Sequence, residues 1–209
     1  MKRLTLALLF LAPLGCFRAA MSEVAFPPGY APALDEMPTA PACAAFAEAT
    51  VKEGRANPKV IGYRYSEDSP QNRYPISMST DPAGWAKQGL EAALRRASLA
   101  VGPTGKTQLA VTLSTLDLEE RTFHNSSYEA KLVLDVTVTL AGGAPCWSGR
   151  VDGFARNYGS AGNPANYRET VNHALDRATS ELLANHDFLD AACGVCGGAG
   201  SSHPGPVSL

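Results

Sequence analysis

The clearest pattern in the chain is YEAKLVLDVTVTL, residues 128–140. Tyr128, Ala130, Leu132, Leu134, Val136, Val138 and Leu140 fall on one side. Glu129, Lys131, Asp135, Thr137 and Thr139 fall on the other, with Val133 the apolar exception. A period of two with one apolar side predicts a strand covered on one face and wet on the other. QLAVTLSTLDLEE, 108–120, starts the same way with Leu109, Val111 and Leu113, then slips phase to Leu116 and Leu118. That slip predicts a bulge or bend. CWSGRVDGFARNY, 146–158, reads as a third long strand with Trp147, Val151 and Ala155 on one side. The short turns RTFHNSS and AGGAP make hairpins of the three. KVIGYRY, 59–65, is a short β-rich run and a candidate first strand. SEDSPQNRYPISMST after it reads as a polar loop.

Two segments switch to helical spacing. In WAKQGLEAALRRASLAV, the residues Ala86, Leu90, Ala93, Leu94, Ala97 and Val101 recur at steps of three and four. Asp81 stands at the N-cap position and Pro82 at the first helical position, where its missing N–H costs nothing. Asn163 and Pro164 repeat the device before a second face of Tyr167, Val171, Ala174, Leu175, Ala178 and Leu182. The order strand, helix, three strands, helix predicts an α+β fold. Its expected form is two-layered, a small antiparallel sheet with both helices on its apolar face, over residues 57–190.

The ends read differently. MKRLTLALLFLAPLGC carries two positive charges and then an apolar run from Leu4 to Leu14. That run is too short for a membrane span and suits a signal-peptide core, so residues 1–15 are expected to direct export. Gly15 and Cys16 fit a lipobox, with Cys16 the lipidation candidate. Pro13 and Leu14 depart from its usual residues, and cleavage after Ala19 or Ala20 is the alternative. Residues 16–56, rich in Pro and Ala, read as a lipid-anchored tether, with CAAFAEATVKEG a short helix within it. Residues 191–209 read as a disordered tail rich in Cys, Gly and Ser.

Composition sharpens this picture only in places. Of 209 residues, 18% are charged and the net charge is −2, with no long run of either sign. Nothing in that balance points to nucleic acid. GPTGKT, 102–107, ends like a P-loop but lacks the glycine at position 100, where Ala stands. It also lies between a helix and a strand, the reverse of the nucleotide-binding order. Gly102 and Pro103 are expected to stop the helix and turn, and no nucleotide is assigned.

Candidate chemistry concentrates on cysteine. Cys43, Cys146, Cys193 and Cys196 are an even number in an exported chain, where disulfides form. CGVC at 193–196 follows a helix rather than opening one, so a thioredoxin-like site does not fit. A local Cys193–Cys196 or tail-stapling disulfide fits better, with Cys43–Cys146 the candidate second bridge. Four cysteines allow three pairings, and spacing does not choose among them. A metal set of His186, Cys193, Cys196 and His203 lacks the usual paired-turn spacing, so no metal and no cofactor is assigned. His124 with Asn125, Ser126 and Ser127 lacks a nucleophile elbow and reads as turn chemistry. Glu169 and His173 share a helix face as a solvated pair. Asp117, Glu119 and Glu120 read as a solvated strand end. No catalytic residue is assigned.

The leader with its cysteine, the helix GWAKQGLEAALRRASL, the strand YEAKLVLDVTVTL, the segment CWSGRVDGFARNYG and the helix NYRETVNHALDRATSELL together resemble the YajG-like group of bacterial outer-membrane lipoproteins. The resemblance covers roughly residues 59–189 and implies a periplasmic accessory lipoprotein, with no catalytic residues to carry over. The expected function is a non-enzymatic adaptor, held on the periplasmic side of the outer membrane through Cys16. Its expected partners are the membrane, through the anchor, and an envelope protein, met through the uncovered sheet face or edge. The alternative is a thiol- or metal-dependent periplasmic protein working through the C-terminal CxxC.

Overall fold

The computed structural model describes residues 23–122, 125–140, 143 and 145–196. Their strands are β1 (Val24–Phe26), β2 (Ala45–Glu53), β3 (Val60–Ser66), β4 (Ser69–Met78), β5 (Ala100–Val101), β6 (Thr107–Thr122), β7 (Ser126–Leu140) and β8 (Pro145–Gly159). The helices are α1 (Pro82–Arg96), α2 (Pro164–Ala184) and α3 (His186–Ala192).

The three long strands form as the alternation predicts. β6, β7 and β8 make an antiparallel meander, with Leu113, Leu134 and Val151 in adjacent register. The phase slip is a bulge between Leu113 and Thr115, after which Leu116 and Leu118 return to the core. α1 and α2 pack on the inner face in one continuous core with Leu90, Leu94, Leu175 and Leu182 fully buried. Both caps are made. Asp81 accepts from the backbone N–H groups of Ala83 and Gly84, and Asn163 accepts from that of Ala165.

The sheet itself departs from expectation. It has eight strands among the described residues and is mixed, not small and antiparallel. β2 and β3 both run parallel to β6 and share one of its edges: β2 lies against Thr107–Leu113 and β3 against Leu118–Thr122. β4 returns antiparallel to β3, and β1 adds parallel to β4. SPQNRYPISM, read as loop, is therefore a strand. Ile76 is fully buried and Met78 nearly so, and pairing with β3 overrides the polar local sequence. The helix expected over CAAFAEATVKEG is β2, because parallel pairing to β6 satisfies its backbone and buries Phe46 and Ala49. α1 ends earlier than Gly102. Ser98 turns left-handed at φ 65°, and the chain enters β5 before the turn at Gly102–Gly105.

The segment 23–56 is thus part of the domain rather than a tether. Between β1 and β2 it straps across the helices. Asp176 of α2, fully buried, accepts from the Tyr30 hydroxyl at 2.6 Å and from the backbone N–H groups of Ala33 and Leu34. His173 donates to the Ala33 carbonyl, Asn172 donates to that of Gly29, and Trp85 donates to Asn172. Arg96 of α1 reaches both Asp176 and the Leu34 carbonyl. Burial and the Asp176 acceptor push the Tyr30 hydroxyl pKa well above its ordinary value, which keeps it a donor.

β8 is an edge strand, and α2 closes it. Gly153 lets the helix approach so closely that a Cβ there would lie 1.9 Å from the Ala174 carbonyl oxygen. Glu181 accepts from the Asp152 N–H and Arg177 donates to the Phe154 carbonyl, so side chains occupy edge groups that would otherwise template another strand.

Where β2 hands over to β3, nine chain positions separate Glu53 from Gly62 while their β6 partners, Leu113 and Leu118, are five apart. The excess loops out, and Arg55 fills the break. Its side chain is only 9% exposed. It pairs with Glu53 at 2.7 Å and donates to the carbonyls of Pro58, Val60 and Leu116. Substituting Arg55→Ala leaves these carbonyls without a donor and should cost about 2–4 kcal/mol. Arg55→Lys should recover little of it, because an ammonium lacks the planar fork that spans three acceptors. Urea unfolding midpoints of the two variants check this.

Candidate interaction face

Two surfaces of the sheet behave differently. The inner face is closed by the helices and ends in a polar knot around Glu120, which the sequence reading placed on a solvated strand end. Glu120 is fully buried. It lies 3.0 Å from Arg64 and accepts from Ser126, Thr122, the Gly162 N–H and the hydroxyls of Tyr128 and Tyr167. Gly162, at φ 68°, lets the loop before α2 pass over the Arg64 guanidinium. Burial, then the Glu120 acceptor, raise the Tyr167 hydroxyl pKa far above its usual value. A carboxylate with this many donors and a matched cation is stable where it is, and removal of one partner is what would destabilise it. The knot clamps β3, β6, β7 and the start of α2 together.

Among the described residues, no helix or strand covers the outer face. The register sets three rows across it. Tyr65, Arg121, Ser127 and Tyr158 form one, Tyr63, Glu119, Glu129 and Arg156 the next, and Asp117, Lys131 and Phe154 the third. Tyr63, Phe154 and Tyr158 are 41%, 46% and 64% exposed. Arg73 stacks over Tyr65, 5.2 Å from the ring centre. The notch left by the strand break, a cavity of about 240 Å³, opens beside Tyr63 and is lined by Arg55, Asn57, Ser114, Thr115 and Asp117.

Glu119 and Glu129 stand directly opposite each other, a like-charge pairing that weakens a sheet. Each is compensated. Glu119 pairs with Arg121 at 2.6 Å and accepts from Tyr65, while Glu129 pairs with Arg156 at 2.6 Å. Burial pushes the Glu119 carboxyl up, but the bonds from Tyr65 and Arg121 outweigh it and leave the pKa below the ordinary carboxylate range. Asp117 stands opposite Lys131 in the register, and the charges of Arg73 and Lys131 offset part of its own. Burial, then the charge of Glu119, raise its pKa.

The cysteines pair across the chain. Cys43 bonds to Cys193 and Cys146 to Cys196, so neither the local Cys193–Cys196 bridge nor Cys43–Cys146 is formed. Residues 191–196, read as part of a free tail, instead pack against the body, with Ala191 and Ala192 buried and Phe188 of α3 against Trp147 and Phe46. Cys193 and Cys196 sit in separate bridges, which leaves neither as a thiolate for dithiol or metal chemistry. Glu169 and His173 do not act together. Glu169 accepts from Asn157, and His173 holds the strap. GPTGKT forms the turn into β6, where the buried Thr107 hydroxyl donates to the Ala45 carbonyl. The expected signal peptide at 1–15, the lipidation candidate Cys16, His124, His203 and the tail beyond Cys196 lie outside the described residues.

No protein-family model matches the sequence, and no curated protein does. Among solved structures, the chain is similar to a protein of Xanthomonas campestris assigned to family DUF330, at 13% identity and a TM-score of 0.46 over 78% of this chain and 90% of that one. It is also similar to a candidate lipoprotein of Caulobacter crescentus CB15, at 20% identity and a TM-score of 0.35 over 57% of this chain and 88% of that one. An uncharacterised protein matches at 10% identity and a TM-score of 0.33, over 84% and 97% of the two chains.

The environment of Asp117 gives a pH test. A carboxyl whose folded pKa is raised above its unfolded value destabilises the fold at neutral pH, and the penalty vanishes below the unfolded value near pH 4. Asp117→Asn should therefore unfold at a slightly higher temperature than the parent protein at pH 7, with the gain gone by about pH 3.5. Thermal unfolding across that range checks the sign.

Proposed function

We propose that this chain is an exported envelope protein, lipid-anchored through Cys16, that works as a non-enzymatic adaptor and receives a protein partner on the outer face of its sheet. The observation that carries the reading is that face itself. Exposed aromatics, Tyr63, Phe154 and Tyr158, share it with Asp117, Lys131 and an opposed Glu119–Glu129 pair. Aromatic side chains are enriched at interface centres, with a polar, solvent-accessible rim around them.

Two further features support the setting. Pairing of all four cysteines outside the leader is the state of an oxidising compartment such as the periplasm. The leader and the resemblance to the YajG-like outer-membrane lipoproteins point the same way. The alternative, chemistry through the CxxC, is disfavoured by the separate bridges of Cys193 and Cys196.

Metabolic labelling with a palmitate analogue tests the anchor: label and membrane fractionation are expected in the parent and lost together in Cys16→Ser. A photo-crosslinking residue at Phe154 tests the face. A discrete protein adduct is expected in intact cells from that position and not from Arg168, exposed on α2. Equal, unspecific adducts from both positions would sink the adaptor reading.

A further inference from the structure

The strap changes how far the body can stand from its anchor. A tether spanning residues 16–56 would reach about 140 Å when extended. Val24, however, is already in register with Ile76, and Phe26 with Met78. Beyond β1 the chain is held again, by Asp176, His173 and Asn172 on α2 and by the Cys43–Cys193 bridge. None of residues 24–56 is free to pay out as tether. Only six residues, Phe17 to Ser22, separate Cys16 from Glu23. Fully extended, that length spans about 25 Å.

We infer that the domain is leashed to the bilayer at the β1–β4 edge of its sheet, with a standoff no greater than that length. This inference rests on the proposed lipid anchor. Its consequence concerns the partner. A body of this size is about 40 Å across, so every point of the outer face lies within about 65 Å of the membrane that holds Cys16. The partner is therefore met within that distance of the membrane, and the adaptor does not extend freely to a distant one. The edge at the leash is itself a poor strand template. β4 carries Pro70 and Pro75, which lack N–H donors, so docking falls to the sheet face rather than to this edge.

The test uses the full-length lipidated protein in phospholipid vesicles whose headgroups carry an acceptor dye. A donor dye is placed on Gln71→Cys, an exposed site on β4; the other cysteines are bridged or lipidated. A second protein carries in addition an insertion of about forty Gly/Ser residues between Met21 and Ser22, which restores the reach of a long flexible tether. Energy transfer to the membrane should be strong in the first and at least about two-fold weaker in the second. Equal transfer in both would overturn the short leash, because the body would then stand away from the membrane without the insertion. A protein that carries no lipid by mass and does not float with the vesicles would overturn the anchor, and with it the leash, before any transfer is measured.

Discussion

The long strand β6 has one edge that no single strand can cover. β2 matches its first half and β3 its second, both in parallel, and between them the chain has more residues than the edge can pair. The peptide groups at the join must still be satisfied, and Arg55 does this by offering its guanidinium to three carbonyls while Glu53 neutralises its charge. The rest of the sheet is arranged around that solution. β3 brings β4 and β1 onto one end, β2 brings β5 onto the other, and the meander of β7 and β8 completes the opposite side.

Two buried carboxylates then fix what lies over the sheet. Glu120 draws donors from β3, β7 and α2 to one end of the inner face. Asp176 draws the N-terminal strap and α1 onto the outside of α2. Each carboxylate is fully buried and multiply bonded, so each holds segments that are distant in sequence in a single arrangement. With the inner face committed to these contacts, the exposed aromatics fall on the outer face. Fold and proposed function are linked in that division: one face is closed by the chain's own core, and the other leaves Tyr63, Phe154 and Tyr158 exposed.

Much of this was legible from residue patterns, and the failures have a common cause. The meander, its bulge and both capped helices follow from local periodicity and cap chemistry. β2 and β4 do not, because their stability comes from neighbours far along the chain. The Ala-rich run at 43–54 has better helix than strand propensity until β6 pairs with it. The knot residues were present in the pattern but misread. Continuing the phase Leu116, Leu118 places Glu120 on the inner face, and Asn172, Asp176 and Thr179 form a second, polar stripe beside the apolar face of α2. A charged residue in phase with a core is a signal that it has a buried partner. The cysteine pairing had no such signal, since it depends on α3 folding back against Trp147 and Phe46.

The central claim is that the N-terminal strap and the C-terminal segment belong to one folded body, and the disulfides report on it directly. Peptide mapping under non-reducing conditions, on protein isolated from its native cells with free thiols blocked at lysis, reads the pairing. The account predicts Cys43 linked to Cys193 and Cys146 linked to Cys196. Recovery of a Cys193–Cys196 loop with a separate Cys43–Cys146 bridge would contradict it, because Cys43 would then no longer join the strap to the end of α3.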